Sequence, residues 1–185
     1  MTRIAKYGII ECIIMGRCAM IILGIDPGLA IVGYGVIEYE NSRFRVLDFG
    51  AITTPAGVKV EDRLLMIARG MEELIDRYHP EEMAVEELFF NTNRTTAIAV
   101  AEARGVILLS ARKKGLRISE YTPLQVKQSV VGYGKAEKKQ VLAMVRSILR
   151  IGPELKLDDT ADALAIAICH AHTGCGGLRN FYNLR

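Results

Sequence analysis

Apolar and polar positions along this chain follow two different periods, and the changes of period divide it into elements. The run Ile21-Ile22-Leu23-Gly24-Ile25 is short, unbroken and β-branched, which predicts a buried strand. Ile31 to Tyr39, with Gly33 and Gly35 inside, predicts a second strand reached through a short turn containing Gly28, and Phe44 to Thr53 a third. From Val60 to Tyr78 the spacing changes. Leu64, Ile67, Ala68, Met71, Leu74 and Ile75 recur at helical intervals until His79-Pro80 stops them. Met83 to Phe89 predicts a fourth strand, Thr95 to Lys113 a long helix rich in alanine, leucine and valine, and Leu116 to Tyr121 a fifth strand. Helices are expected over Pro123 to Val131, Ala136 to Leu149 and Asp159 to His172. There is no internal repeat or low-complexity segment.

A three-strand meander followed by crossover units predicts an α/β domain with a five-stranded mixed sheet flanked by helices. A right-handed crossover would return the fourth strand parallel to a central first strand. That topology has a chemical consequence. Asp26 ends the first strand and is followed by Pro27-Gly28, and Glu86 closes the apolar run Met83-Ala84-Val85. Both would emerge at the carboxyl edge of the sheet, where open α/β sheets place their ligands. Asp159 and Asp162 are three apart at the start of the last helix and share one face of it. An acid at the end of a buried strand is costly unless it is paired or metal-bound. Clustered acids that repel one another are explained most simply by divalent cations held between them. The pattern points to metal-dependent phosphoryl chemistry.

Composition narrows the class. A chain of 185 residues, half of them apolar, is long enough for one domain with a full core, and no window offers the roughly 18 unbroken apolar residues of a membrane span. Cys12, Cys18, Cys169 and Cys175 show no paired spacing and no convincing secretory signal precedes them, so reduced thiols in a cytoplasmic protein are expected. Residues 1–19 fit neither period, and Met20 stands immediately before the first strand. They read as an N-terminal extension from an upstream start codon or a leftover cloning segment, with an interaction helix as the alternative. The folded domain is expected over residues 20–173, with a tail over 174–185.

Charge is uneven. The net charge is +3, but residues 112–150 hold ten basic side chains against two acids, a balance of +8 that leaves −5 for the rest. Such a run alone reads as a solvated helical face. Beside an acidic metal cluster it suggests a polyanion partner held through its phosphates.

Five blocks follow one another in register: Gly24-Ile25-Asp26-Pro27-Gly28, Val85-Glu86-Glu87-Leu88-Phe89, Gln125-Val126-Lys127-Gln128 with Val130-Val131-Gly132, Lys135-Ala136-Glu137-Lys138, and Asp159-Thr160-Ala161-Asp162-Ala163-Leu164-Ala165. Together they resemble the RuvC family of bacterial Holliday junction resolvases, from about Met20 to His172. The resemblance implies a ribonuclease H-like fold, a homodimer, two Mg²⁺ ions per site with Mn²⁺ as a substitute, and paired nicks across a four-way DNA junction. The branch-migration proteins RuvA and RuvB are the further partners it implies. By position, Asp26, Glu86 and Asp159 match the family's catalytic acids and Asp162 the fourth member of the cluster. Lys127 and Lys138 match basic residues near the scissile phosphate, Lys138 to counter charge developing there. Lys135 and Lys139 extend the DNA-binding set, and Phe89 corresponds to an aromatic that stacks on a base. Glu87 is left out, because alternation on a strand turns it to the opposite face. Arg146 is expected as a cation that grips DNA without taking part in cleavage.

Cys169, His170, His172 and Cys175 match no standard zinc spacing, and the two histidines fall on different sides of a helix. Two other classes share features with the chain. An actin-like ATPase also opens with strand, acid and glycine turn, but needs a second domain and a second phosphate loop. A non-catalytic junction binder would gain nothing from four acids placed against phosphates.

Overall fold

The computed structural model describes residues 19–87, 94–156 and 158–174. Its strands are β1 (Met20–Asp26), β2 (Ile31–Glu40), β3 (Arg43–Thr53), β4 (Glu82–Glu86) and β5 (Arg117–Tyr121). Its helices are α1 (Val60–Tyr78), α2 (Arg94–Lys113), α3 (Pro123–Val131), α4 (Lys138–Leu149) and α5 (Asp159–Gly174). The strands form one mixed sheet in the order β3-β2-β1-β4-β5, with β1 antiparallel to β2 and parallel to β4. The expected topology is therefore the one adopted. The meander supplies three strands, and each of the two helical crossovers adds a parallel neighbour on the far side of β1.

The period of two then sorts side chains between two cores. Leu23 and Ile25 of β1, with Met83 and Val85 of β4, pack against Ile67, Met71 and Ile75 of α1 and Ala103 and Ile107 of α2. Ile22 and Ala84, one residue out of phase, face Val126 of α3, Val145 of α4 and Leu164 and Ile168 of α5. Since Gly24 pairs with Ala84, Asp26 and Glu86 come next in the same register on the α5 face. Parity alone thus puts the two strand-end acids on the side where Asp159 and Asp162 arrive.

On that face α5 lies directly against the sheet backbone. A Cβ on Gly24 would stand 2.8 Å from Ala167 Cβ and collide with the Ala163 carbonyl oxygen. One on Gly35 would stand 2.5 Å from Leu164 Cδ2, and one on Gly33 would run into the Asp159 backbone. Gly24 pairs with Gly35, and Asp26 with Gly33, so the glycines form a track across two strands under the helix. Here glycine serves close approach of another backbone rather than a turn.

Local signals fix the helix ends. Thr122 accepts from the Gln125 amide while the Gln125 side chain accepts from the Thr122 amide, a reciprocal box that starts α3 with Pro123 in its first turn. Glu137 and Gln140 form a second box, so α4 begins at Lys138, two residues after the start expected from the pattern. Gly132, with φ at 91°, closes α3 in the left-handed region that favours glycine.

At the sheet edge opposite the acids a buried polar group replaces apolar packing. His170 of α5 is fully buried, with Nε2 2.7 Å from Glu82 Oε2 and Nδ1 2.8 Å from the Tyr121 hydroxyl. Arg117 donates to the other Glu82 oxygen. Glu82 thus begins β4 as a buried carboxylate, one residue earlier than the hydrophobic run suggests, because its partners are supplied by other elements.

The glycine track carries a prediction. Gly24→Ala should cost about 2–3 kcal/mol of unfolding free energy, since the added methyl must push α5 off the sheet. A denaturation midpoint equal to wild type would show that α5 does not lie that close.

Candidate active site

Asp26 leaves the end of β1, Asp159 and Asp162 leave the first turn of α5, and one carboxylate oxygen of each lies within 4.8 Å of the other two. Glu86, at the end of β4, stands beside this trio and interacts electrostatically with Asp162. All four acids are partly buried or close to the protein surface, so bulk water screens their repulsion only in part. Burial and then the charges of Glu86, Asp162 and Asp159 push the Asp26 carboxyl up to about 8, against the smaller pull of Lys138. Burial and the charge of Asp162 raise Glu86 as well, with Lys138 and Lys127 opposing.

Two cations reach the cluster. Lys138, the first residue of α4, donates to Asp162 Oδ2 at 2.9 Å, and its ammonium is held above its ordinary value by that bond and by Asp26 and Asp159 beyond it. Lys127 on α3 acts on Glu86. The capping boxes at Thr122 and Glu137 therefore position the two lysines as well as starting their helices. Lys135 and Lys139 are exposed and form no ion pair with the described acids. Glu87 follows β4 as an exposed residue, and its amide donates to the Tyr121 carbonyl at 2.9 Å. Phe89 lies outside the described residues.

The basic run does not form a single surface. Lys113 lies 3.7 Å from Glu72, Lys114 lies 2.6 Å from Asp76, and Arg117 is engaged by Glu82, so its first part ties α2 and β5 to α1 and β4. Arg146 also differs from expectation. Its Nε donates to the Leu155 carbonyl at 3.0 Å and its Nη2 reaches Pro153 and Leu155, so it braces the segment leading to Asp159 instead of standing free for DNA. Among the described residues, the lysines of the run that act on the acids are Lys127 and Lys138.

Sequence reasoning passed over Arg104. From α2 it donates to the Glu86 carbonyl at 3.4 Å and pairs with Glu120 of β5, which fixes the strand end that carries Glu86. One arginine between Ala103 and Gly105 gives no sign of this in the sequence; the contact exists only once α2 crosses β4 and β5.

The trio suits a divalent cation. Every donor is a hard carboxylate oxygen, with no histidine or cysteine among them, and burial followed by the charges of the neighbouring acids raises Asp26, a cost that a bound cation or a proton relieves. The exchange has a definite sign. A carboxyl with a raised folded value stabilises the fold fully below its unfolded value, and that contribution is lost as pH rises towards about 8. Metal-free protein should therefore lose stability from pH 6 to 8, by at most about 1.4 kcal/mol per pH unit for one proton. Asp26→Asn should flatten the slope. Calorimetry across the same range should show cation affinity rising with pH and protons released on binding. A metal-free unfolding stability independent of pH between 6 and 8 would show that the Asp26 carboxyl is not raised in the fold.

Comparison with known proteins agrees with this geometry. The family profile described as crossover junction endodeoxyribonuclease RuvC matches residues 22–170. The chain is 59% identical to the crossover junction endodeoxyribonuclease RuvC of Alkaliphilus oremlandii over 84% of its own length and 94% of that protein. It is 56% identical to that of Clostridioides difficile, over 83% and 91%. Among solved structures, the RuvC of Thermus thermophilus in complex with a Holliday junction substrate superposes with a TM-score of 0.81 at 36% identity, covering 86% of this chain and 97% of that one. The yeast mitochondrial Holliday junction resolvase Ydc2, with a TM-score of 0.59 at 16% identity, covering 82% of this chain and 78% of that one, shares the fold.

Proposed function

Because the chain belongs to the RuvC family of crossover junction endodeoxyribonucleases, we propose that it is a metal-dependent endonuclease that resolves four-way DNA junctions by paired symmetric nicks during recombination and repair. The observation that carries this reading is the convergence of Asp26, Asp159 and Asp162, from two elements far apart in sequence, on a space one cation wide. A pure junction binder would not gather negative charge where phosphates must lie. Among the described residues there is one acidic cluster at the edge of one sheet.

Asp26, Asp159 and Asp162, with Glu86 at their side, would hold the cation. Mg²⁺ fits an all-oxygen donor set, with Mn²⁺ as a substitute, and a second ion would take further ligands from the DNA phosphate. When bound, such ions activate water and offset charge on the leaving 3′ oxygen. The chain's own residues do the rest. Lys138 keeps a positive charge beside Asp162, ready for the charge that develops on a transferring phosphate. Lys127 holds a second positive charge beside Glu86, and Lys135 and Lys139 extend the phosphate-binding face. Phe89 is assigned to base stacking on family resemblance alone. Residues 20–173 form the nuclease domain in this reading.

Paired cuts need two sites, and the described residues carry one cluster, so the working form in this reading is a symmetric dimer. α2 offers the surface. Ala103, Ile107 and Ala111 are buried in the core, while Ile98 and Leu109 are 64% and 62% exposed and lie only about 20° apart around the helix. Ala101, which the pattern alone suggests as an outward position, is half-buried because α2 turns that side towards the domain. RuvA and RuvB are the expected partners for delivering the junction.

Two experiments test this reading. Asp26→Asn, Glu86→Gln and Asp159→Asn should each lower cleavage of a synthetic four-way junction in Mg²⁺ by at least about a thousandfold, while junction binding stays equal or tightens as a repulsive charge is removed. Lys138→Ala and Lys127→Ala should reduce cleavage strongly, whereas Arg146→Ala should act mainly through lower thermal stability. Full turnover by any acid variant would exclude that residue from the metal site. Secondly, Leu109→Arg should give monomers in sedimentation that nick junctions singly or not at all. A monomeric wild type at micromolar concentration that still makes paired cuts would contradict the dimer.

A further inference from the structure

One cation that shares a cleft with Asp26 and Asp159 belongs neither to the basic run nor to the face that carries Lys138. Arg63 sits in the first turn of α1, on the opposite side of the sheet from α3, α4 and α5. With Asp26, Asp159, the Pro27–Ile31 turn and Ala99 and Val100 of α2, it lines an open cleft of about 460 Å³. The cleft thus runs from the acid cluster towards α1 and α2.

Arg63 is held in a defined orientation. Its Nε donates to Thr54 Oγ1 at 2.8 Å, the Thr54 hydroxyl donates to the Leu29 carbonyl at 2.6 Å, and the Thr54 amide donates to the Ala30 carbonyl at 3.0 Å. Thr54 is buried, so this chain of bonds ties the guanidinium to the turn that follows Asp26. With Nε committed, the two Nη groups form the outer edge of the fork, the edge that suits the paired oxygens of a phosphate. Among the described residues Arg63 forms no ion pair, in contrast to Lys138 on Asp162. Glu61 and Asp62 of the same turn are exposed and do not line the cleft.

Resting on the nuclease reading above, we propose that Arg63 is a positioning residue that grips a backbone phosphate of the strand being cut, next to the scissile one and on the α1 side of the acids. Lys138 and Lys127 hold the strand from the α3–α4 side, and Arg63 from the other. The acids alone repel a phosphodiester backbone, so a strand held from one side only could swing away from them. Cations on both sides fix its path across the cluster. The bond through Thr54 couples that grip to the turn after Asp26, so a phosphate seated on Arg63 also orders the backbone carrying the first acid.

The test is binding without metal, where cleavage and cation affinity play no part. Fluorescence anisotropy of a labelled four-way junction in EDTA, from 50 to 200 mM NaCl, is measured for wild type, Arg63→Gln, Arg63→Met and Arg63→Lys. The neutral variants should lose several-fold affinity at the lowest salt, and their slope of log K against log salt should be shallower by about 0.9, the loss of one phosphate contact. Arg63→Lys keeps the charge and should keep the slope. A merely structural staple would lower the melting temperature of Gln and Met alike and leave the slope unchanged. Wild-type slopes in both neutral variants, with the wild type still preferring the junction over linear duplex, overturn the Arg63 assignment alone. A wild type with no junction preference removes the nuclease reading itself, and this assignment with it.

Discussion

The closeness of α5 to β1 and β2 is the constraint from which the site follows. Gly24, Gly33 and Gly35 put no side chain of their own between sheet and helix, so Ala163 and Ala167 close on Gly24, the Asp159 backbone on Gly33 and the Leu164 side chain on Gly35. The separation is set by the missing side chains of the sheet glycines, which let backbone and small or flanking helix side chains approach directly. Had those positions carried valine, the helix would sit farther out and Asp159 and Asp162 would leave the reach of Asp26. The cluster is therefore a product of steric fit, and it forms against its own electrostatics. Burial of Ile166, Ile168 and Leu164 along the same helix supplies the apolar free energy that opposes the repulsion.

That opposition explains how charge is distributed around the site. Three acids within 4.8 Å cannot all ionise at low cost, and the structure relieves them only in part, through Lys138 on Asp162 and Lys127 acting on Glu86. A fully neutralised cluster would have little affinity left for a cation, and a cluster without lysines would repel DNA. The intermediate state suits both ligands. The cations that do not serve the site are spent elsewhere: Lys113, Lys114 and Arg117 hold helix and strand edges together, and Arg146 braces the approach to Asp159.

Much of this was legible in the chain, and the reason is specific. The strands and helices announce themselves through period and through stop signals such as His79-Pro80. Once β1 is taken as central and β4 as parallel to it, a period of two places Asp26 and Glu86 on one face without any further information. Pairwise polar contacts were not legible. Nothing near Thr54 in sequence indicates that it will bond both Leu29 and Arg63, and Arg104 reveals its hold on Glu86 only after α2 crosses the sheet. The strip from residue 112 to 150 misled for a related cause. Net charge along a sequence adds residues that the fold sends to different surfaces, and it cannot separate a lysine paired with Asp76 from one beside the acids. Ala101 shows the same limit on a helix, since an apolar residue on a two-sided helix does not disclose which side meets the core.

Strand β4 carries two acids on the same face, and their fates show what makes a buried carboxylate functional. Glu82 and Glu86 are four residues apart, both turned towards α5. Glu82 is the more deeply buried, yet His170 and Arg117 hold its two oxygens, and Tyr121 completes the network through His170. Its charge is compensated within the protein, so it offers nothing to a ligand. Glu86 has Asp162 on one side and Lys138 and Lys127 on the other, and its carboxyl is still raised, first by burial and then by Asp162. Depth of burial ranks the two in the wrong order for function. The useful quantity is the compensation left undone, and by that measure the carboxyl edge of the sheet is the one open to a cation, while at the opposite edge, built from the same strand and the same helix, the carboxylate is already held. A single α5 spans both, joining the sheet through His170 at one end and through the acids at the other. The end held through His170 anchors the helix, and that anchor lets the acidic end, paired only in part through Lys138, hold charges that would otherwise push it away.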